Sequence, residues 1–150
     1  MDNQAFFHKF VAFTTAVHQV THEMTKDIKS DDITPLQYKM VEYVAVSQPV
    51  TLSQISDCLH MSMPNTSREL KKLCDKQLCE KFTDTADRRR QLIRLTQEGQ
   101  RMMDQAFNHI AQQFLARLQD ATDEEWQALE QAMDLLHTKI FYSPSDSVSP

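Results

Sequence analysis

The sequence predicts a mainly α-helical protein with one small β-hairpin. Its 150 residues include a single glycine, Gly99, whereas average usage of ~7% would supply about ten. Glycine-rich phosphate loops and glycine-elbow hydrolase sites cannot be assembled from one glycine, and folds made of many tight turns are disfavoured. Helix-start signals recur at helix-length intervals, and two short alternating segments lie in the middle of the chain. Apolar residues at 41% and charged residues at 25% are near globular averages, so we expect one domain.

The first helix is predicted over residues 4–28. Its apolar residues alternate at spacings of four and three, the pattern of a coiled-coil-like seam. These residues are Phe6, Phe10, Phe13, Val17, Val20 and Met24. Three further helix starts carry a capping-box signature. The signature begins at Thr34, Thr51 and Thr122. After Thr34, Pro35 suits the first position of a second helix and Gln37 can close the capping box.

Two short helices follow over about 52–59 and 63–77, and only a few residues join them. This outline is that of a helix-turn-helix. The inner face of the fourth helix is predicted to comprise Thr66, Leu70 and Leu73, which are spaced i, i+4, i+7. Segments 79–83 and 91–95 alternate like strands around a polar run, which predicts a hairpin with a charged tip. Apolar spacing then marks a long fifth and a sixth helix.

The net charge of −5 hides a basic segment in the middle of the chain. Residues 1–61 hold four Lys/Arg and seven Asp/Glu (−3), residues 62–101 hold ten and six (+4), and residues 102–150 hold two and eight (−6). An acidic chain with one basic segment binds polyanions weakly in general, while one surface can still neutralise phosphates.

Placed on the predicted elements, the basic segment forms a candidate surface for double-stranded DNA. Asn and Arg side chains can read adenine and guanine edges bidentately, and Ser and Lys can contact phosphates. Arginines at the hairpin tip can enter a narrow minor groove. The candidate DNA-binding residues are Ser62, Met63, Pro64, Asn65, Ser67, Arg68, Lys71, Lys72, Arg88, Arg89 and Arg90. Asp87 suits this surface only if it forms a local ion pair that orients the loop.

Three segments resemble the MarR family of winged-helix transcriptional regulators. The run 87–99, DRRRQLIRLTQEG, is similar to the family's wing signature, in which an acidic-basic pair precedes Leu-Thr-x-x-Gly. Residues 33–38, ITPLQY, resemble the opening of its second helix, and residues 52–73 its helix-turn-helix. The resemblance covers roughly residues 5–140. It implies a winged helix-turn-helix with a two- or three-stranded wing and long dimerisation helices.

The resemblance also implies an organisation and a function. We expect a single subunit over residues 1–141, with dimerisation helices over about 4–28 and 97–140 and a DNA-binding lobe over about 34–96. Residues 142–150 have the composition of turns and predict a disordered tail. The implied function is a homodimeric regulator of transcription, a repressor or an activator, of which we favour the repressor. It would bind a pseudo-palindromic operator with the fourth helix in the major groove.

The chain departs from the family pattern at two turns. Family members often have glycine where His60 and Gln77 stand here. Such positions often need a left-handed backbone, which costs a residue with a Cβ roughly 1 kcal/mol or more. We expect these two turns to be either strained or differently shaped.

Plainer interpretations stay open for the same residues. The run 88–90 could be a solvated charged surface, and Arg68 and Lys71 could be solvent-facing residues without a ligand. The apolar seams could belong to one monomeric core, although three long amphipathic helices have more apolar face than a small lobe covers. A functional alternative is a winged-helix protein that binds an acidic protein partner as an adaptor or antirepressor.

Histidines and one tyrosine provide effector candidates. His18 and His22 share a helix face, and His109 lies in the fifth helix. A metal site needs three or four converging ligands, and no cysteine or carboxylate is spaced to complete one, so we expect neither metal nor cofactor. Effectors of the resembled family bind between the first, second and fifth helices. By that resemblance, His18, His22 and Tyr38 are candidates to bind a small aromatic or anionic compound.

The cysteines and the termini favour a cytoplasmic protein that is not an enzyme. Cys58, Cys74 and Cys79 are odd in number and follow no secretory leader, and no stretch approaches the ~18 apolar residues of a membrane span. A thiol-redox switch is an alternative sensing mode, but sensing cysteines of the family lie near the start of the first helix, where this chain has none. No serine or cysteine has a recognisable activating neighbour.

Overall fold

The structure is a computed structural model that describes residues 2–28 and 33–141. The helices are α1 (Asn3–Thr25), α2 (Pro35–Ser47), α3 (Leu52–Leu59), α4 (Met63–Asp75), α5 (Gln97–Ala116) and α6 (Asp123–Leu136). One π-helical turn, His137–Phe141, follows α6. The strands are β1 (Cys79–Thr83) and β2 (Gln91–Leu95). The predicted fold class, mainly helical with a small hairpin, is confirmed. The predicted tail at 142–150 lies outside the described residues.

The chain forms two compact units, one that ends at Gln112 and one that begins at Gln113. The first unit contains α1 to α4, the hairpin and most of α5. The second contains the end of α5, α6 and the π-helical turn. The predicted lobe over about 34–96 and the predicted dimerisation helices stay predictions.

Capping boxes fix the starts of three helices, as the sequence predicts. At α2, the Thr34 hydroxyl accepts a bond from the Gln37 backbone N–H (3.1 Å), and the Gln37 side chain accepts one from the Thr34 N–H (3.2 Å). The same reciprocal pair joins Thr51 to Gln54 and Thr122 to Glu125. Each pair satisfies two backbone donors that a helix start leaves without partners.

The hydrophobic core of the first unit is built by α2, α3, α4, the hairpin and α5. Its fully buried side chains include Met40, Val41, Val44, Val50, Ile55, Leu70, Leu73, Ile93 and Met103. The predicted inner face of α4 is confirmed, because Thr66, Leu70 and Leu73 are its buried residues. By contrast, none of the described residues of α1 or α6 is buried.

The hairpin is antiparallel, with Cys79 opposite Leu95 and Thr83 opposite Gln91. A further bridge joins Ile93 to Val50, in the segment between α2 and α3, through bonds of 3.0 and 2.7 Å. The wing therefore has two strands and one bridging residue that ties it to the helix-turn-helix.

Two turns have left-handed backbone, at the positions where the sequence departs from the family pattern. His60 has φ 53° at the end of α3, and Gln77 has φ 60° after α4. The Gln77 turn closes with a bond from the Leu78 N–H to the Leu73 carbonyl at 3.0 Å. Since left-handed residues cannot continue a helix, α4 ends at Asp75 rather than at the predicted residue 77.

Gly99 lies in the first turn of α5, against the backbone that follows α4. Thr96 caps this helix by accepting a bond from the Gly99 N–H at 3.0 Å. A Cβ on Gly99 would overlap the carbonyl oxygen of Leu78 and would lie 3.0 Å from its carbonyl carbon. The same carbonyl accepts the Thr96 N–H at 3.1 Å. Close approach of two backbone segments is therefore the reason for a glycine here.

Replacing Gly99 by alanine should destabilise the fold. Alanine is the better helix former by about 1 kcal/mol, but displacing the Leu78 backbone should cost more, so we expect a net loss of about 1–2 kcal/mol. Urea unfolding measures this loss. Gln97→Ala, an exposed change in the same turn, is the control and should alter stability little. A Gly99→Ala variant as stable as wild type would contradict the contact.

Replacing Gln77 by glycine should stabilise the fold. Glycine adopts the left-handed conformation without the steric cost of a Cβ, so the free energy of unfolding should rise by about 1 kcal/mol. Gln77→Ala keeps the Cβ and should give no such rise. Equal urea midpoints for the glycine and alanine variants would show that the turn is not strained.

Candidate nucleic-acid interface

Helix α4 presents most of the predicted DNA-binding residues to solvent. Its N-cap, Ser62, accepts a bond from the Asn65 N–H at 3.2 Å, and Pro64 lies in its first turn. Burial of the opposite, apolar face fixes which side is exposed. The exposed residues of the predicted set are Ser62, Met63, Pro64, Asn65, Arg68, Lys71 and Lys72, whereas Ser67 is half-buried.

The two side chains predicted to read bases are bonded to each other. A guanidinium N–H of Arg68 donates to Oδ1 of Asn65, one turn earlier on α4. Further along α4, Lys71 lies 3.7 Å from Asp75 in an exposed ion pair. Such exposed pairs contribute little to stability, so their effect is to set where the cationic groups lie.

A buried glutamine links α2 to α4. Gln37, which is only 2% exposed, donates from Nε2 to Oε2 of Glu69 at 2.9 Å. Oε1 of Glu69 accepts a bond from Lys72 Nζ at 3.0 Å. The hydrogen bond from Gln37, followed by that from Lys72, lowers the pKa of the Glu69 carboxyl. Sequence reasoning identified Gln37 only as a cap and did not identify Glu69.

The hairpin loop is ordered by two aspartates. Asp84 accepts the Ala86 N–H at 3.0 Å, and its own N–H donates to the Arg90 carbonyl at 2.9 Å. Oδ1 of Asp87 accepts the backbone N–H of Arg89 at 3.1 Å and lies 3.4 Å from its Nε. Asp87 thus forms the local ion pair that the sequence required of it.

The three hairpin arginines differ in their contacts. All are exposed, and Arg89 is held by Asp87. Within residues 2–28 and 33–141, no carboxylate forms an ion pair with Arg88 or Arg90. At the base of the hairpin, Arg94 bonds Glu80 at 2.8 Å and lies 4.2 Å above the Phe82 ring. The loop therefore presents two unpaired cations from a cross-linked hairpin.

A cavity of about 340 Å³ lies in the first unit. Its lining residues are Asp27, Ile28, Ile33, Tyr38, Met102, Gln105, Ala106 and His109. The Tyr38 hydroxyl is buried without a hydrogen-bond partner among the described residues. Burial, with the nearby charge of Glu42, raises the pKa of Tyr38.

Of the three effector candidates, only Tyr38 lines this cavity. His18 and His22 are exposed on α1 and are not among the lining residues. The lining residues Asp27, Met102 and His109 are not among the effector candidates that the sequence predicts, although the sequence places His109 in the fifth helix. These residues lie far apart in the sequence, so the sequence alone does not show that they line one cavity.

The three cysteines are free thiols that differ in exposure. Cys58 is exposed, Cys74 half-buried and Cys79 buried. Burial raises the pKa of each thiol, and that of Cys79 to about 12. A raised pKa depletes the thiolate, the form that oxidants attack.

In the part of the chain that the structure describes, no three His, Cys, Asp or Glu side chains are grouped so that they could hold a metal ion. In the same residues, no helix combines the length and the hydropathy that crossing a bilayer needs.

Residues 33–90 match the MarR family. The fold is similar to that of the transcriptional regulator Tm0710 from Thermotoga maritima (16% identity, 94% of this chain and 100% of that chain, TM-score 0.71). It is also similar to MepR from Staphylococcus aureus bound to ethidium bromide (20% identity, 87% and 94%, TM-score 0.62). A MepR mutant bound to an oligodeoxyribonucleotide matches with 22% identity over 88% and 97% (TM-score 0.55). The comparison with curated proteins gives no match.

Proposed function

We propose that this chain is a MarR-family regulator, since its residues 33–90 match that family, and that it regulates transcription by binding double-stranded DNA as a homodimer. We propose further that it is a repressor that a small molecule releases from its operator. The observation that carries the proposal is the exposed polar face of α4 beside the arginine-bearing hairpin.

The α4 face has the chemistry of a major-groove reader. B-DNA admits an α-helix into its major groove, where Arg pairs with guanine and Asn with adenine. Asn65 and Arg68 lie in the first two turns of α4, the part of a recognition helix that contacts base edges. In the proposed complex, the exposed residues Ser62 and Lys71 would contact phosphates.

The hairpin supplies a second point of contact. Arg88 and Arg90 are exposed cations at the tip, and Asp87 holds the backbone of the loop between them. A narrow minor groove concentrates negative potential that attracts such arginines. In the proposed complex, α4 and the hairpin would bind one half-site together.

The homodimer is supported by apolar surface that the first and last helices leave exposed. On α1, the exposed residues include Phe6, Phe7, Val11, Phe13 and Val17; on α6 they include Trp126, Leu129, Met133 and Leu135. Since exposed apolar patches of this kind mark association sites, we assign them to contacts with a second copy. Two-fold symmetry then places two copies of α4 on two half-sites.

The cavity beside Tyr38 is the proposed effector site. An unpartnered buried hydroxyl in a largely apolar cavity can bond a polar group of a small aromatic ligand. MepR, which is similar in fold, is bound to ethidium bromide in one structure and, as a mutant, to an oligodeoxyribonucleotide in another, and this supports proposing both kinds of ligand here.

Selection from a random duplex pool tests DNA binding. We expect retained duplexes with two-fold symmetric half-sites about 34–36 Å apart. Arg88→Ala should weaken binding to such a duplex and lower the slope of log affinity against log salt by about one, since one phosphate contact is lost. Arg101→Ala, which removes an arginine paired with Glu98 on α5, is the matched control.

Two outcomes would contradict these assignments. An Arg88→Ala variant with wild-type affinity and slope would remove the hairpin from the interface. Retention of no duplex at low salt would overturn DNA binding and favour the protein-binding adaptor.

Tyr38→Phe tests the effector site, with salicylate as the probe. Wild type should gain melting temperature at saturating salicylate, because ligand binding stabilises the folded state. Removing the hydroxyl should weaken salicylate binding about fivefold through one lost hydrogen bond, while the unliganded variant melts no lower than wild type. His18→Ala changes an exposed residue outside the cavity and should respond like wild type. An unchanged Tyr38→Phe response would move the site elsewhere.

A further inference from the structure

We propose that Gln37 is a positioning residue of the DNA interface, which holds the Glu69 carboxylate against α2 and away from the DNA-facing side of α4. The inference rests on the proposed DNA binding. Glu69 lies in the middle of the recognition helix, next to Arg68 and one turn from Lys72. A free carboxylate at that place would repel phosphates and compete for the neighbouring cations.

The geometry fixes the orientation of the Gln37 amide. Its Nε2 donates to Glu69 at 2.9 Å. Its Oε1 accepts bonds from the Thr34 N–H and from Lys76 Nζ, each at 3.2 Å. Turning the amide over would face oxygen to a carboxylate and N–H groups to two donors, so only one orientation satisfies all three partners.

The two oxygens of the Glu69 carboxylate have different partners. One oxygen is held by Gln37 and the other by Lys72, and the side chain is only 20% exposed against 58% for Lys72. The lowered pKa keeps this carboxyl ionised at neutral pH, so its placement rather than its protonation decides its effect on DNA. Arg68 is left to bond Asn65 on the exposed side.

A capping role alone would also retain Gln37, and one substitution separates the two roles. Gln37→Glu keeps an oxygen that can accept from Thr34 and Lys76, and Glu closes a capping box as well as Gln does. It replaces the donor to Glu69 with a second carboxylate. If Gln37 positions Glu69, the variant should bind the selected duplex about tenfold more weakly.

The reciprocal exchange tests the bond itself. In Gln37→Glu with Glu69→Gln, the new amide at 69 can donate to the new carboxylate at 37, and the net charge equals that of wild type. We expect affinity to return to within about threefold of wild type. The matched control combines Gln37→Glu with Asp75→Asn, which has the net charge of wild type but lacks the bond and should stay as weak as Gln37→Glu alone.

Gel-shift affinities at fixed salt, with circular dichroism as the folding check, decide between the outcomes. Wild-type affinity in folded Gln37→Glu, or equal affinities in the two double variants, would overturn the positioning role while DNA binding stands. If wild type retains no duplex, both proposals fall. If Gln37→Glu does not fold, Gln37→Met alone and with Glu69→Gln replaces it, and affinity that does not return in the double variant overturns the inference.

Discussion

A single close approach of backbone, between Gly99 and the Leu78 carbonyl, determines how the hairpin and the helix-turn-helix meet the start of α5. The left-handed turn at Gln77 reverses the chain after α4, and its carbonyl accepts a bond from the Thr96 hydroxyl. Thr96 bonds Leu78 with its own N–H and caps α5 with its oxygen. Because three elements share these few atoms, α4 and the hairpin are held as one body, and a surface formed by both can be preorganised.

The basic segment retains several acidic residues, and the structure uses them to place cations. Asp87 accepts a bond from the Arg89 backbone N–H and pairs with its guanidinium, and Gln37, on α2, donates a bond to Glu69. Exposed ion pairs of this kind add little stability. Their value is positional, because Asp87 fixes the backbone and the guanidinium of Arg89 in the loop, and Gln37 holds the Glu69 carboxylate toward α2.

Features that depend on a few neighbouring residues could be predicted from the sequence, whereas contacts between residues far apart in the chain could not. The left-handed turns at His60 and Gln77 could be located through the resemblance to the MarR family, whose members often have glycine at these two places, since neither His nor Gln by itself marks such a turn. The bond between Gln37 and Glu69 joins residues that are 32 positions apart. The sequence around either residue does not indicate its partner. The same holds for the cavity, which His109 lines together with residues from distant parts of the first unit. Periodicity reports which face of a helix is buried, but not what lies against it.

The bond between Arg68 and Asn65 has a consequence for how an operator would be read. A base that engages the Arg68 nitrogen bonded to Asn65 displaces the Asn65 oxygen, and Asn65 must then find a partner of its own. The protein would bind most tightly where neighbouring base pairs provide hydrogen-bond partners for both Arg68 and Asn65. A sequence that provides a partner for only one of these side chains would leave the other without one. In the proposed complex, the energies of substitutions at adjacent operator positions would therefore not add.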